Sequence, residues 1–292
     1  MNQMYEANII FDLILIDPPY GNINGLEKDL KGWKDKNYDW DKKLQPEKIF
    51  NSSDKLLREN GYLLIFSKDP YTIELQQSQK YGFEYCYKYI WLKNHFANNL
   101  SCKKNPVNFF EEILVFRKRY DTHNRNDLRR YFKDILYFIG KPLKDINKIL
   151  GHRRAEHSFY IESTQFKLCS EETYQELIDI FKINRCDKYL SYDVLKRLNK
   201  KYENVFNLNG NKYKGNVLKY PKEIVRYHPT QKPVKLLRDL IETYTRPNDF
   251  ILDFCMGSGS TGMAAKLSGR SFAGIEADKN FYEMAVKRLY DK

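Results

Sequence analysis

Residues Phe11 to Tyr20 of this 292-residue chain, FDLILIDPPY, are the strongest indication of its fold. Its apolar run, Leu13 to Ile16, is continuous and partly β-branched, which is typical of a parallel strand buried on both faces. Prolines cannot continue the hydrogen bonds of a sheet, so the chain must leave the sheet at Asp17. Ligands of open α/β sheets bind beyond the carboxyl ends of the strands. We therefore expect Asp17 and Tyr20 to face a pocket.

The tetrapeptide Asp17-Pro18-Pro19-Tyr20 has the groups that activate an exocyclic amino group for methylation. The lone pair of such a nitrogen is conjugated with its ring, so the nitrogen is a weak nucleophile. The carboxylate of Asp17 and the backbone carbonyl of Pro18 can accept its two N–H bonds and push the lone pair outwards. The ring of Tyr20 offers a face for base stacking, worth about 1–3 kcal/mol. The alternative is an ordinary turn with a surface acid.

Composition favours a polyanionic partner for this chain. It has 50 Lys and Arg residues against 38 Asp and Glu residues, a formal net charge of +12. General solubility is the alternative explanation of this excess. Five scattered cysteines without metal-ligand spacing argue against a zinc site and fit a reducing, cytoplasmic environment. The sequence shows neither a signal peptide nor an apolar run long enough to span a membrane.

Strands and helices alternate through the first 120 residues. Helical periodicity bounded by Pro and Gly predicts a helix from Pro46 to Gly61 and another over residues 71–80. Buried apolar runs predict strands over residues 62–66, 83–92 and 112–116. This alternation predicts a doubly wound α/β sheet.

Two polar connections interrupt this pattern. Residues 21–45 contain three aromatic side chains, Trp33, Tyr38 and Trp40, and we interpret them as a loop that closes over the substrate. An insertion that its tryptophans pin to the surface is the alternative. The second connection carries Lys103 and Lys104, which are candidate phosphate contacts.

The middle region, residues 121–220, is basic and is predicted to be mainly helical. A helix over Pro142–Leu150, ended by Gly151, and a second short helix from Arg153 would form a helix-turn-helix that can enter a major groove. A purely structural helical hairpin is the alternative. Further helices are predicted after Ser170 and Ser191. The candidate DNA contacts of the region are Arg129, Arg130, His152, Arg153, Arg154 and His157.

The last region, residues 221–292, contains a glycine turn between a strand and a helix. The strand covers residues 249–254, and the turn is CMGSGST, Cys255 to Thr261. Glycines at such a turn let backbone N–H groups approach a ligand closely. A second strand ends in Glu276, whose carboxylate can bind two ribose hydroxyls, and Asp253 can line the pocket for an amino-acid part. The third glycine of a dinucleotide fingerprint is missing, so the pattern fits either a dinucleotide or S-adenosylmethionine.

Three motifs occur in a fixed order: DPPY, then HPTQKP at residues 228–233, then DFCMGSGST at residues 253–261. This combination resembles the amino-methyltransferases of prokaryotic DNA in the permuted motif order of the β class. The resemblance implies a Rossmann-like methyltransferase sheet built from residues 1–120 and 221–292, with an inserted target-recognition domain at residues 121–220. It also implies S-adenosylmethionine as cofactor and double-stranded DNA as substrate. A cognate restriction endonuclease and a second copy of the chain are further candidate partners.

The resemblance also assigns roles to individual residues. Asp17, Pro18, Pro19 and Tyr20 would hold a flipped base. The implied cofactor contacts are Asp17, Thr230, Lys232, Pro233, Asp253, Phe254, Cys255, Gly257, Ser258, Gly259 and Glu276.

The identity of the base follows from the first motif. DPPY is the usual form in N6-adenine enzymes, whereas N4-cytosine enzymes more often carry Ser at the position of Asp17. We therefore predict adenine as the methylated base, with cytosine as the alternative. Family members often have an acid before the catalytic strand that contacts the cofactor adenine. Only Glu6 is available for that contact here, and packing alone is the alternative.

Two other classes of function compete with this interpretation. A DNA-binding regulator with an inactive methylase core would also show a helix-turn-helix. A methyltransferase acting on RNA or on a protein glutamine would share the fold, although the glutamine enzymes generally resemble this site with Asn at the position of Asp17.

Overall fold

The computed structural model describes residues 1–21, 42–97, 103, 106–224 and 231–290. The chain divides into two compact units. Unit 1 consists of Met1–Leu57, Gly61–Arg117 and Val205–Lys292. Unit 2 consists of Arg58–Asn60 and Lys118–Asn204.

The helices and strands are numbered in chain order. The first are α1 (Asn2–Glu6), β1 (Phe11–Ile16), α2 (Pro46–Leu56), β2 (Leu57–Ser67), α3 (Tyr71–Gln77), β3 (Phe83–Ala97) and β4 (Asn108–Lys118). Four helices follow: α4 (Asp127–Ile139), α5 (Leu143–Leu150), α6 (Glu171–Phe181) and α7 (Tyr192–Lys201). The last are β5 (Val217–Lys219), α8 (Val234–Tyr244), β6 (Phe250–Asp253), α9 (Ser260–Leu267), β7 (Ser271–Gly274) and α10 (Lys279–Tyr290). None of the described helices has the length and apolar character needed to cross a membrane.

The strands form one mixed sheet in the order β5-β3-β4-β2-β1-β6-β7. Strand β1 is parallel to both β2 and β6, and β6 is parallel to β7. Strand β4 is antiparallel to β2, so it begins at the edge where the parallel strands end. This edge therefore collects the turns after β1, β6 and β7 together with the first residues of β4.

Helices cover both faces of the sheet, as the continuous apolar run of β1 predicts. Leu13 and Leu15 pack into a core with α8 and α9. Ile14 and Ile16 pack on the opposite face with α2 and α3. All four side chains are buried. The prediction of a doubly wound α/β sheet is confirmed.

Asp12 interrupts the apolar run of β1 because its carboxylate has a structural role. The pairing of β1 with β2 shifts register between Phe11 and Leu13. At this position the backbone N–H of Phe250 donates to Asp12 Oδ2 at 2.9 Å. The side chain thus supplies an acceptor that ties the start of β6 to β1.

Two bounds in unit 1 differ from the sequence prediction. Helix α2 ends at Leu56, and Gly61 lies inside β2 rather than at the end of the helix, because Leu57 already pairs with Phe11 in the sheet. Residues 205–220 belong to unit 1 and not to the predicted insert. The reason is β5, which pairs in parallel with β3 through Val217 and Ile90.

Unit 2 is a helical unit with its own apolar core. The core joins α4, α5, α6 and α7 through buried residues such as Phe132, Ile146, Leu177 and Leu195. Helix α6 begins where predicted, because the Ser170 Oγ accepts a hydrogen bond from the backbone N–H of Thr173 at 3.3 Å.

The predicted second helix of the helix-turn-helix is not formed. Helix α5 ends at Gly151, which has a positive φ of 76°. Residues 151–155 then form turns, and only a four-residue 3-10 helix, Glu156–Phe159, follows. Ala155 and Phe159 are buried in the core of unit 2, so their packing, and not a helical pattern, determines the conformation of this segment. A single turn is too short to serve as a recognition helix.

Arg129 is a predicted DNA contact, but the structure gives its side chain another role. Its guanidinium pairs with Glu59 through Nη2 to Oε1 at 2.5 Å and through Nε to Oε2 at 2.8 Å. It also donates to the carbonyls of Ile161 at 2.7 Å and Ser163 at 2.9 Å. Both side chains of the ion pair are at most 7% exposed. The Arg129 guanidinium is therefore buried and bonded within unit 2, which leaves it unable to contact DNA.

Candidate active site

A cavity of about 670 Å³ lies in unit 1 at the edge where the parallel strands end. The Asp17–Tyr20 turn after β1 forms one part of its wall, and the glycine turn after β6 forms another. Glu276 after β7 and Glu111 at the start of β4 also line it. The turns that the sequence places near opposite ends of the chain therefore adjoin in one cavity.

Asp17 presents its carboxylate to this cavity and is held from two sides. Its Oδ1 accepts a hydrogen bond from the Tyr20 hydroxyl at 2.9 Å. Its Oδ2 accepts a hydrogen bond from Lys232 Nζ at 2.5 Å. An ionised carboxylate has about four acceptor positions, so acceptor capacity remains for a ligand. Its side chain is 23% exposed, which leaves that capacity accessible.

The two prolines differ in what their carbonyl groups do. The carbonyl of Pro19 accepts a hydrogen bond from the backbone N–H of Leu44 at 3.2 Å. No group of the described residues donates to the carbonyl of Pro18, which lines the cavity. Within the described ranges, the Pro18 carbonyl thus keeps its acceptor positions for a bound amino group.

Tyr20 is fixed in orientation by its neighbours. Its ring lies 5.7 Å from the ring of Tyr71, centroid to centroid. The Tyr71 hydroxyl in turn donates to the carbonyl of Leu44 at 2.5 Å. Burial, and then the negative charge of Asp17, raise the pKa of Tyr20 well above its ordinary value. The phenol therefore stays protonated and keeps its hydrogen bond to Asp17.

Lys232 belongs to a buried chain of alternating charges that sequence reasoning did not find. Its Nζ contacts Asp17 Oδ2 at 2.5 Å and Glu111 Oε2 at 3.2 Å. The other oxygen of Glu111, Oε1, lies 2.5 Å from Lys93 Nζ. We call Asp17, Lys232, Glu111 and Lys93 the ion chain. The only sequence signal for it is the pair of acids, Glu111 and Glu112, inside an otherwise apolar strand.

The pKa values of the ion chain follow from burial and from the neighbouring charges. Burial raises the pKa of Asp17, and the positive charge of Lys232 offsets only part of this rise. Burial would lower the pKa of Lys232, but Asp17 and Glu111 together raise it. Burial opposes ionisation of Glu111 as well, yet Lys232 and Lys93 hold the pKa of that carboxyl below its ordinary value. Lys232 and Glu111 are therefore both charged at neutral pH.

The glycine turn approaches the cavity with its backbone. Gly257 and Gly259 have positive φ angles of 48° and 74°, a region that favours glycine. A Cβ on Gly259 would lie 3.1 Å from the Cβ of Ala285, so this position is also crowded. Arg288 of α10 donates to the Ser258 carbonyl at 3.0 Å and to the Ser260 Oγ at 2.9 Å. The turn is thus held in place from behind.

Two further carboxylates surround the glycine turn. Asp253 Oδ2 accepts a hydrogen bond from the Thr261 hydroxyl at 2.6 Å, and Oδ1 accepts one from the backbone N–H of Cys255 at 2.9 Å. Burial is the main reason that the pKa of Asp253 is raised to about 7. Glu276 Oε2 accepts a hydrogen bond from the N–H of Gly257 at 2.8 Å. Both acids line the cavity.

The structure places nearly all described cofactor candidates along this cavity. Pro233 and Gly259 are the exceptions, and they occupy the N-cap positions of α8 and α9. Thr230 lies outside the described residues, as do Lys104 and most of the predicted loop at residues 21–45. Glu6 is exposed at the end of α1 and is not among the residues that line the cavity.

The remaining DNA-contact candidates lie at the surface, and four of them, Arg130, His152, Arg153 and Arg154, contact acidic side chains. Arg153 is 74% exposed and pairs with Glu156. Arg154 is 54% exposed, and both it and His152 contact Glu176. The other three, Lys103, Arg130 and His157, are exposed too. Contact of these six residues with DNA stays a prediction.

Most of the chain matches a known protein family. The model of a family described as DNA methylase matches residues 11–287. The type II methyltransferase M2.DpnII of Streptococcus pneumoniae is 28% identical over 292 residues, which cover 95% of this chain and 82% of the relative. The DNA adenine methyltransferase YhdJ of Escherichia coli strain K12 is 42% identical over 88 residues, 28% of this chain and 29% of the relative.

A solved structure shares the fold. The M1.HpyAVI–SAM complex has a TM-score of 0.56 and 22% identity, and the match covers 99% of this chain and 94% of that chain. The family match runs from the start of β1 into α10, so it includes both turns that adjoin in the cavity. The chain belongs to the DNA methylase family.

Proposed function

We propose that this protein transfers a methyl group from S-adenosylmethionine to N6 of an adenine in double-stranded DNA. The observation that carries the proposal is that one cavity brings the Asp17–Tyr20 turn next to the glycine turn. The first turn suits a weakly nucleophilic amino group, and the second suits a nucleoside-bearing ligand. Family membership supports the same reaction class.

The residues of the cavity fit S-adenosylmethionine. The cavity volume of about 670 Å³ lies within the range of small-molecule sites. The ligand is cationic at its sulfonium and amino groups, and Asp253 and Glu276 give the wall beside the glycine turn a negative character, whereas the charge of Asp17 is offset by Lys232. Glu276 would hold the ribose through Oε2, which keeps an acceptor position after its bond from the Gly257 N–H, whereas Oε1 already accepts the N–H groups of Ala277 and Asp278. When bound, the cofactor supplies an electrophilic methyl group.

The chain's own residues then prepare the amino group. The target base is rotated out of the duplex, and its amino group donates to the Asp17 carboxylate and to the Pro18 carbonyl. These two acceptors localise the lone pair on nitrogen and orient it towards the glycine turn. Tyr20 keeps Asp17 in position through its hydroxyl and offers its ring to the base. The surplus proton leaves to water, so the cysteines need no catalytic role.

The reaction and the base are tested together by mass spectrometry. Unmethylated duplex DNA is incubated with the protein and deuterium-labelled S-adenosylmethionine, digested, and analysed as nucleosides. We expect labelled N6-methyladenine. Labelled N4-methylcytosine would show that cytosine, and not adenine, is the methylated base. Absence of label in DNA would favour the regulator, and label in RNA or protein under matched conditions would favour the other substrate classes.

A cognate restriction endonuclease and a second copy of the chain are further partners that we propose. The name of the Streptococcus pneumoniae relative, a type II methyltransferase, supports a restriction–modification setting. Sedimentation at several protein concentrations tests self-association, and a monomer throughout would contradict it. A DNA-cleaving activity that this methylation blocks would identify the endonuclease.

Cofactor affinity should depend on pH through Asp253. A cationic ligand favours the ionised carboxylate, so binding lowers its pKa and releases a proton. Because the pKa of Asp253 is about 7 without ligand, affinity should rise by up to about eightfold between pH 6 and pH 7.5, following its ionised fraction. Titration calorimetry at these pH values measures the change. The Asp253→Asn variant should bind more weakly with a flatter pH profile, and an unchanged profile in it would refute the assignment.

Glu276→Gln should weaken the binding of S-adenosylmethionine about 10- to 100-fold. The substitution removes a charged acceptor for the ribose hydroxyls, and bonds to charged groups contribute about 1.5–3 kcal/mol. Equilibrium dialysis gives the dissociation constant. Glu283→Gln, an equivalent change at an exposed site of α10, serves as control and should bind normally. Equal affinities of the two variants would exclude Glu276 from the ribose site.

A further inference from the structure

We propose that Glu111, held by Lys93, is a positioning residue that prevents Lys232 from neutralising Asp17. The proposal rests on the methyl transfer proposed above and extends it to two residues outside the three sequence motifs. Its basis is the geometry of the ion chain, in which each lysine contacts Glu111 from a different side.

Lys232 lies between two carboxylates with little access to water. Its side chain is 7% exposed, and its Nζ lies 2.5 Å from Asp17 Oδ2 and 3.2 Å from Glu111 Oε2. The Glu111 oxygen is itself shielded from solvent and makes no hydrogen bond of good geometry within the described part of the chain. The ammonium is thus bonded to Asp17 but attracted from the other side by a second negative charge.

This second charge matters because Asp17 has to act as a hydrogen-bond acceptor. A buried ammonium that interacts with Asp17 alone would withdraw electron density from the carboxylate and compete with the amino group of the base. In the low dielectric of the cavity such an ion pair would be strong. Glu111 shares the ammonium and so leaves Asp17 the better acceptor.

Lys93 keeps Glu111 in its charged form. Its Nζ lies 2.5 Å from Glu111 Oε1 and 5.3 Å from the centre of the Trp91 ring. The side chain of Lys93 is 3% exposed, so its position is fixed by these contacts. The four charges of the ion chain sum to zero, which makes the buried arrangement tolerable.

The proposal predicts opposite pH effects for two substitutions. The titratable groups that act on Asp17 are Tyr20, Lys232 and Glu111, together with Asp253 and Cys255 on the glycine-turn side. Removing the Glu111 charge should lower the pKa of Asp17, because only Lys232 then acts strongly on it. Removing Lys93 should raise the pKa of Asp17, because the charge of Glu111 is then less compensated.

The experiment compares Glu111→Gln with Glu112→Gln in the full-length protein. Glu112 is adjacent in β4 and also pairs with a lysine, Lys88 at 2.5 Å, but it does not line the cavity. For Glu111→Gln we expect kcat to fall about 10- to 100-fold, the acidic limb of the kcat–pH profile to move to lower pH, and the affinity for S-adenosylmethionine to stay within about threefold. For Glu112→Gln we expect the wild-type profile.

Lys93→Met separates positioning from a merely structural role. For Lys93→Met we expect the acidic limb of the kcat–pH profile to move to higher pH. General damage to the fold would instead move the acidic limbs of Lys93→Met and Glu111→Gln in the same direction, or leave both in place. Limbs that move together, or a Glu111→Gln profile that matches Glu112→Gln, would overturn the proposal. The wild-type protein is assayed first, so that an absence of methylation there counts against the proposed function and not against the role of Glu111.

Discussion

Replacing Asp17 by Asn should lower kcat for DNA methylation about 1000-fold. The substitution keeps the shape of the side chain but puts an amide in place of the carboxylate that faces the cavity. An amide is a weaker acceptor, and its NH₂ group would oppose the donors that surround this position, Tyr20 and Lys232. Affinity for S-adenosylmethionine should change little, because the glycine turn and Glu276 remain. Single-turnover methylation and a separate binding titration measure the two quantities.

Asp12→Asn is the matched control for this experiment. It makes the same chemical change in the strand that leads to the site, and an Asn oxygen can still accept the hydrogen bond from the N–H of Phe250. We expect near-normal turnover. Retained activity in Asp17→Asn, or an equal loss in both variants, would show that the carboxylate of Asp17 does not act on the substrate.

The largest loss of stability is expected for Arg129→Met. The change leaves the buried carboxylate of Glu59 without its cationic partner, with the Asn126 amide as its remaining side-chain donor, and removes the donor to the carbonyls of Ile161 and Ser163. Breaking a buried ion pair from one side typically costs about 3–5 kcal/mol. The free energy of unfolding, from urea denaturation followed by circular dichroism, should fall by that amount.

Arg130→Met gives the comparison at the next position. Arg130 is 51% exposed and pairs with Asp127 on the surface of α4. Exposed pairs contribute at most about 1 kcal/mol, so the free energy of unfolding should change by no more than that. If the two variants unfold alike, the ion pair of Arg129 and Glu59 is not a main stabilising contact of unit 2.

Features that depend on neighbouring residues could be predicted from the sequence. The buried run of β1 and the prolines after it define where the strand ends, and both are local. The same holds for α8, Val234–Tyr244, an amphipathic stretch that directly follows Pro233. Because parallel strands end at one edge, the sequence also predicts that the turns at Asp17 and Gly257 meet.

Features that depend on distant pairing could not be predicted. Glu111 reaches the cavity only because β4 runs antiparallel to β2 and so begins at the ligand edge. Arg129 looks like one basic residue among many until Glu59, far away in the chain, is placed beside it. The predicted second helix after Gly151 is not formed, because the burial of Ala155 and Phe159 outweighs the helical pattern of the sequence.

The acid-proline turn and the glycine turn are proposed to hold the two reactants of one reaction. A crystal structure with S-adenosylhomocysteine and a duplex that the protein methylates tests it most directly. We expect a flipped adenine whose N6 lies about 2.7–3.2 Å from an Asp17 carboxylate oxygen, with the sulfur of the cofactor product on the opposite side of N6. An adenine that remains stacked in the duplex, or a cofactor product bound away from the Gly257 turn, would contradict it.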